Sequence, residues 1–202
     1  AYYRNNPKDK NSLSENLILS IYQDTEGYVW IGTASTGLNR FTRSTNQVIR
    51  YQSDPSRSNS ISSNEVLSIA EDQDGLLWFG TGNGLDSFER KSFTFKHYKW
   101  DAKKPDSLSS NRVYKVYVDS KNNVWTGTPS GLDLFNRETA TFLHYQPETG
   151  NPNSLSGTRV NSILEDNQGN IWAGTFENGL NKFNPKTGQF TRYRYDSKNK
   201  ET

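Results

Sequence analysis

The chain has 202 residues, 31% hydrophobic and 13% aromatic, and its 24 basic and 22 acidic side chains leave a formal charge of +2. That near-balance excludes the clustered basic excess of a dedicated nucleic-acid surface, and the absence of cysteine excludes disulfides and thiol chemistry while fitting either side of a membrane. No apolar run approaches the ~20 residues that span a bilayer and no signal peptide is visible, so any membrane segment is expected outside this chain.

With so few aliphatic residues, the 5 Trp, 11 Tyr and 10 Phe must supply much of the burial. Taken in order, the chain opens on Tyr2-Tyr3, with Tyr3 eight residues before Asn11-Ser12-Leu13-Ser14. Tyr51, Tyr98 and Tyr145 keep the same distance to Asn59-Ser60-Ile61-Ser62, Asp106-Ser107-Leu108-Ser109 and Asn153-Ser154-Leu155-Ser156. Residues 1–3 therefore read as the tail of a preceding repeat. Four repeats follow, at approximately 11–51, 59–98, 106–145 and 153–193, and 1–202 reads as a single segment of a longer array.

Each repeat predicts four strands. The first runs Ile18 to Asp24, Val66 to Asp72, Val113 to Asp119 and Val160 to Asp166. A turn follows, Asp-x-x-Gly in three repeats and ending at Asn122 in the other; Asp bonds its own downstream backbone there and Gly accepts a positive φ. The second strand carries Trp30-Ile31-Gly32-Thr33, Trp78-Phe79-Gly80-Thr81, Trp125-Thr126-Gly127-Thr128 or Trp172-Ala173-Gly174-Thr175. A loop of variable length leads to Gly-Leu and a third strand ending at Phe41, Phe88, Phe135 or Phe183, and a fourth strand closes on Tyr51, Tyr98, Tyr145 or Tyr193. Alternation and aromatic content favour strands throughout. The expected fold is all-β, a β-propeller of four blades with four antiparallel strands each, forming a segment of a larger propeller. The first strands should be innermost, each Trp should be buried between blades, and the Gly after it should let a neighbouring sheet come close. A parallel β-helix is the alternative fold, though its rungs are usually much shorter.

The run Ser68-Ile69-Ala70-Glu71-Asp72-Gln73-Asp74-Gly75-Leu76-Leu77-Trp78-Phe79-Gly80-Thr81, repeated as Ser162-Ile163-Leu164-Glu165-Asp166-Asn167-Gln168-Gly169-Asn170-Ile171-Trp172-Ala173-Gly174-Thr175, resembles the two-component regulator propeller repeat. The resemblance covers nearly the whole chain. It implies a periplasmic, extracytoplasmic sensor region of a bacterial sensor histidine kinase or hybrid two-component system, commonly sensing carbohydrates.

The repeated Asp is read as a turn former rather than a metal ligand. The second acid of Asp72-Gln73-Asp74-Gly75 is replaced by Glu26, Lys121 and Gln168 elsewhere, and a calcium loop needs several oxygens at set spacing. His97 and His144 occupy one repeat position, where the other repeats have Arg50 and Arg192, and are expected on the surface of an outer strand. With no catalytic constellation, no metal site and no cofactor motif in view, the chain reads as a non-enzyme; a structural or protein-binding propeller and a glycosidase-like propeller with carboxylates paired across blades are the alternatives.

Recognition is expected at positions that vary between repeats. One set is the entrance to the first strand, Leu17, Glu65, Arg112 and Arg159. The other is the loop after the second strand, with Asn83 in one repeat and Phe176, Glu177 and Asn178 in another. These connections fall on one side of a blade. Glu65, Arg112, Arg159, Asn83, Phe176, Glu177 and Asn178 make a polar-plus-aromatic mix suited to an oligosaccharide. Finally, an open stack of blades lacks polar caps, so a homodimer closing an eight-bladed ring is expected, with Tyr2-Tyr3 pairing as an extra outer strand on either copy.

Overall fold

The computed structural model describes residues 3–195, which form sixteen strands and no helix. Each repeat is one antiparallel meander of four strands. Blade one holds β1 (Ile18–Gln23), β2 (Val29–Thr33), β3 (Leu38–Thr42) and β4 (Gln47–Tyr51). Blade two holds β5 (Val66–Glu71), β6 (Leu77–Thr81), β7 (Gly84–Glu89) and β8 (Thr94–Tyr98). Blade three holds β9 (Lys115–Val118), β10 (Val124–Thr128), β11 (Gly131–Asn136) and β12 (Thr141–Tyr145), and blade four β13 (Val160–Glu165), β14 (Ile171–Thr175), β15 (Gly179–Asn184) and β16 (Gln189–Tyr193).

The third strands end one residue beyond the expected Phe, and the first strands differ from expectation in two ways. The repeated Asp stands just past its strand, because its backbone closes the turn rather than the ladder. The third first-strand begins at Lys115 instead of Val113, whose N–H donates to the Thr81 carbonyl at 3.0 Å rather than joining the β9–β10 ladder.

The blades group into two compact units, blades one and two with Asn111–Val113, and blades three and four with Trp100–Ser110. In the first unit β1 lies beside β5. Trp30, Leu38 and Tyr51 of blade one pack on Ile61, Val66, Leu77, Phe79, Phe88 and Phe95 of blade two, with the Trp30 ring 5.8 Å from both Phe79 and Phe88. The second unit repeats the joint: Trp125, Leu132 and Tyr145 pack on Leu155, Val160, Ile171, Phe183 and Phe190. Each such buried side chain contributes about 1.5–3 kcal/mol relative to exposure. Trp30, Trp78 and Trp125 are buried as expected, but Trp172 is only half-buried, since among the described residues no further blade follows its own.

The glycine two residues after the Trp is a packing device at the joint within each unit. A Cβ on Gly32 would stand 2.5 Å from the Val66 carbonyl oxygen, and one on Gly127 2.6 Å from that of Val160. A side chain there would push the next first-strand away.

The repeated Asp does more than shape its turn. Its backbone carbonyl accepts the N–H three residues on, from Gly27, Gly75, Asn122 or Gly169 at 2.9–3.0 Å, and all four of these residues hold a positive φ. One carboxylate oxygen accepts the backbone N–H four residues on; the other accepts the indole N–H of the repeat's Trp at 2.7 Å from Trp30 and 2.8 Å from Trp78, Trp125 and Trp172. In blade four the Trp172 indole, together with Asn170, holds the Asp166 carboxyl well below the usual carboxylate range.

The Ser-rich linkers are also structural. Ile61, Leu108 and Leu155 are fully buried, and the backbone N–H groups of Ser14, Ser62, Ser109 and Ser156 donate to Asn39, Asp86, Asp133 and Asn181 on the third strands. At the amino end, Tyr3 is outside any strand; its ring meets Phe41 at 4.9 Å, as Tyr51 meets Phe88 and Tyr145 meets Phe183. Tyr3 therefore does not pair as an outer strand on its own first blade, and Tyr2 lies outside the described residues.

An ionic joint reinforces the first unit. Arg90 of blade two reaches Asp24 of blade one at 2.9 Å and its own Glu71 at 2.6 Å; both carboxylates are almost wholly buried. Glu71 also accepts the Thr25 N–H at 2.8 Å and hydroxyl at 2.7 Å across the joint. Removing one partner of a buried ion group strands the others without their counter-charge. Arg90→Ala is expected to destabilise the fold by about 3–5 kcal/mol, measured by urea denaturation; a loss below about 1 kcal/mol would show that water relieves the carboxylates.

Candidate functional site at the loop end of the blades

The strand entrance and the loop after the second strand meet at the same end of a blade because their backbones bond. Ala34 N–H donates to the Leu17 carbonyl at 3.1 Å, Gly82 to Glu65 at 3.0 Å, and Phe176 to Arg159 at 2.9 Å. The variable residues assemble as two groups, one in each unit.

In the first unit, the entrance of one blade crosses to the preceding blade: Gly37 N–H donates to the Asn64 carbonyl at 2.8 Å, and Gly84 N–H to that of Asn111. That crossing delivers Arg112 to Glu65, and the two form an ion pair. Asn83 donates its side-chain amide to the Ser62 carbonyl at 3.1 Å. This end of blade two is thus largely closed on itself. In blade one, Glu15, which the variable positions did not point to, accepts the Ser35 N–H at 2.9 Å and hydroxyl at 3.1 Å; these bonds, the backbone one foremost, lower its pKa. No repeat-level signal marks it, because its partner depends on loop conformation.

In the second unit, the Arg159 guanidinium carbon lies 4.0 Å from the Phe176 ring centre and 4.9 Å from that of Tyr114. Phe176 is 56% exposed, and Glu177 and Asn178 are exposed beside it in the same loop. Ser156 donates its hydroxyl to the Asn178 carbonyl at 2.8 Å, which fixes the loop against the blade-four linker. Tyr114 was not among the expected residues; it sits two positions after Arg112, at a place that is Leu19, Leu67 and Asn161 in the other repeats.

Among the described residues, no three His, Asp or Glu side chains gather as a metal ion would require. Among the described residues, no helix is long and apolar enough to cross a membrane.

The family model described as "Two component regulator propeller" matches four times, at residues 12–35, 60–83, 107–130 and 154–177, once in each blade. The chain belongs to the two-component regulator propeller repeat family. Each matched segment runs from the linker through the Trp strand, and so covers the Asp–Trp pair and the linker serine in every repeat. The extracellular domain of a hybrid two component system from B. thetaiotaomicron is similar at 26% identity and TM-score 0.80, over 91% of this chain and 25% of that one. This chain therefore spans about a quarter of that extracellular domain's length. At the level of fold alone, virginiamycin B lyase from Staphylococcus aureus is similar at 15% identity and TM-score 0.64, over 89% of this chain and 56% of that one. The RRP9 WD40 repeats are similar at 9% identity and TM-score 0.65, over 91% and 52%. These likenesses place the four blades in the β-propeller fold. No curated protein matches the chain.

Within the propeller repeats, the histidines depart from the expected surface role. His97 and His144 lie on outer strands, but each turns inward, its Nδ1 at 2.7 Å from fully buried Asp86 and at 2.8 Å from fully buried Asp133. Each Nε2 faces a carbonyl at 3.1 Å, that of Ser58 or Pro105. The carboxylate bond raises both His pKa values above the ordinary 6.5, against the opposing pull of burial. A raised folded pKa adds stability that is complete below the unfolded value and is lost as pH rises through the folded one. Stability is therefore expected to fall from pH 6.5 upward, and the double variant His97→Asn, His144→Asn to flatten that slope in chemical denaturation between pH 6 and 9. Equal slopes would show that the histidines bind the same protons folded and unfolded.

Proposed function

We propose that this chain is a non-catalytic, ligand-sensing propeller segment of a bacterial two-component signalling receptor, working in the periplasm, with a carbohydrate as its ligand. The observation that carries this reading is the likeness, over 91% of the chain and at 26% identity, to the extracellular domain of a hybrid two component system. The loop end of the blades supplies matching chemistry: an exposed Phe176 ring for a sugar face, and Arg159, Glu177 and Asn178 for hydroxyls. A ligand that binds only the folded chain raises its melting temperature by mass action. Screening oligosaccharides by thermal shift is expected to find at least one that stabilises the chain without being cleaved; cleavage would make the protein a glycosidase, and no shift with any glycan would remove the sensing role.

A second reading, association between propeller segments, rests on two open apolar faces. Blade one exposes Ile18 and Ile21 beside Val29, Ile31, Phe41 and Val48, around a cavity of about 520 Å³. These positions match the blade-two residues that Trp30, Leu38 and Tyr51 cover. Blade four shows the opposite kind of face, half-buried Trp172 with Leu180 and Tyr193 exposed. As a 202-residue polypeptide, two copies bring one kind of face against the other. Tyr3 already occupies the place on Phe41 that the partner's Tyr193 would take, so docking displaces it. Sedimentation equilibrium at micromolar concentration is expected to give a dimer of the 23.0 kDa chain. A concentration-independent monomer would overturn this reading.

A further inference from the structure

The two strand entrances that carry arginine have opposite electrostatic fates. In the first unit Arg112 is neutralised by Glu65. In the second, Arg159 has no carboxylate within ion-pair distance among the described residues, although Glu177 lies in the adjoining loop. Among the described residues its side chain makes one hydrogen bond, a long one from Nε to the side-chain carbonyl oxygen of Asn161 at 3.4 Å, and its two terminal nitrogens make none. The position is nevertheless held. The guanidinium rests against Phe176 and Tyr114, and the Arg159 carbonyl accepts the Phe176 N–H.

An arginine braced by aromatic rings, with its terminal N–H groups unused, is a preorganised fork for a planar or tetrahedral oxyanion. A lysine-like point charge would not give this directionality. The ring contacts are made at the guanidinium carbon, and the side chain as a whole is exposed. Ring contact and oxyanion contact are therefore compatible, and the exposed Phe176 supplies an apolar surface within reach of the same ligand.

We infer that Arg159, braced by Phe176 and Tyr114, forms a subsite for an acidic saccharide, one carrying a carboxylate or a sulfate. This rests on the carbohydrate-sensing reading above and deepens it by naming the sugar class. A neutral sugar has hydroxyls to offer such a fork but no charge, and so forgoes the ion pair and the bidentate oxyanion match.

The test is calorimetry of the intact chain with three oligosaccharide sets of equal length: neutral, uronate-containing and sulfated. One acidic set is expected to bind about tenfold more tightly than the neutral one, and the tighter of the two tells whether the oxyanion is a carboxylate or a sulfate. Adding salt should weaken the acidic ligand selectively. Arg159→Gln should abolish the preference while leaving the thermal unfolding profile unchanged, because the side chain is exposed. Arg159→Lys should keep charge attraction yet lose most of the tenfold advantage. Equal binding of neutral and acidic sets by the unaltered chain would overturn this inference and leave carbohydrate sensing standing. An acidic preference that survives Arg159→Gln would also overturn it, by placing the anion elsewhere. Failure of every set to bind would remove both readings.

Discussion

A tryptophan buried between sheets brings one polar atom with it, and the whole repeat is organised around satisfying that atom. The indole N–H donates to a carboxylate six residues upstream in all four blades. The same carboxylate accepts backbone N–H groups of the turn between the first two strands. Asp24, Asp72 and Asp119 are buried, and a buried charge is tolerable only when such donors surround it. One side chain therefore sets the turn conformation and the tilt of the Trp ring together. Within each unit the ring of the first blade then packs on the second blade, and the glycine two residues after it admits that blade's first strand. Turn, ring and joint form one mechanical linkage.

The places where repeats differ follow the same accounting of charge. Arg90 neutralises Asp24 and Glu71 at the first joint. The corresponding residue of blade four is Pro185, and there the joint manages without the cation: Asn123 donates its side-chain amide to Asp119 at 2.9 Å, and Ser120 donates twice to Glu165 at 2.7 Å. On the third and fourth strands, buried Asp86 and Asp133 each sit across from a histidine, whereas neutral Asn39 and Asn181 sit across from Arg50 and Arg192. A carboxylate requires a donor, and the imidazole supplies it. An amide makes no such demand, so Arg50 and Arg192 turn instead to linker carbonyls, Arg192 reaching those of Asn151 and Ser154 at 2.8 Å.

The proposed recognition surface sits where this scaffolding is indifferent to residue type. The strand entrances and the loops after the Trp strands touch one another through backbone atoms, so their side chains vary without cost to the sheets. Within that freedom the two units diverge. Glu65 and Arg112 spend their charges on each other, while Arg159 keeps its own and is steadied by rings. The first arrangement ties a blade end together and the second leaves a ring-braced cation exposed to solvent.

The sequence by itself determined the period, the sixteen strands, the turn type and the family, because these depend on spacing and on local backbone preference. Asp and Gly three apart describe a turn whatever surrounds them, and alternation around a recurrent Trp describes a half-buried strand. Seven loop-end positions were also legible as recognition candidates. Only the tertiary structure decided which of them interact: it paired Arg112 with a carboxylate 47 residues away and left Arg159 to Phe176 and Tyr114. It turned the histidines inward, made Asp the acceptor of an indole, and carried Arg90 across 66 residues to Asp24. The physical reason is common to all of these. A side-chain bond is chosen by which donors and acceptors burial brings within about 3 Å, and that depends on how sheets stack, which no spacing along the chain encodes.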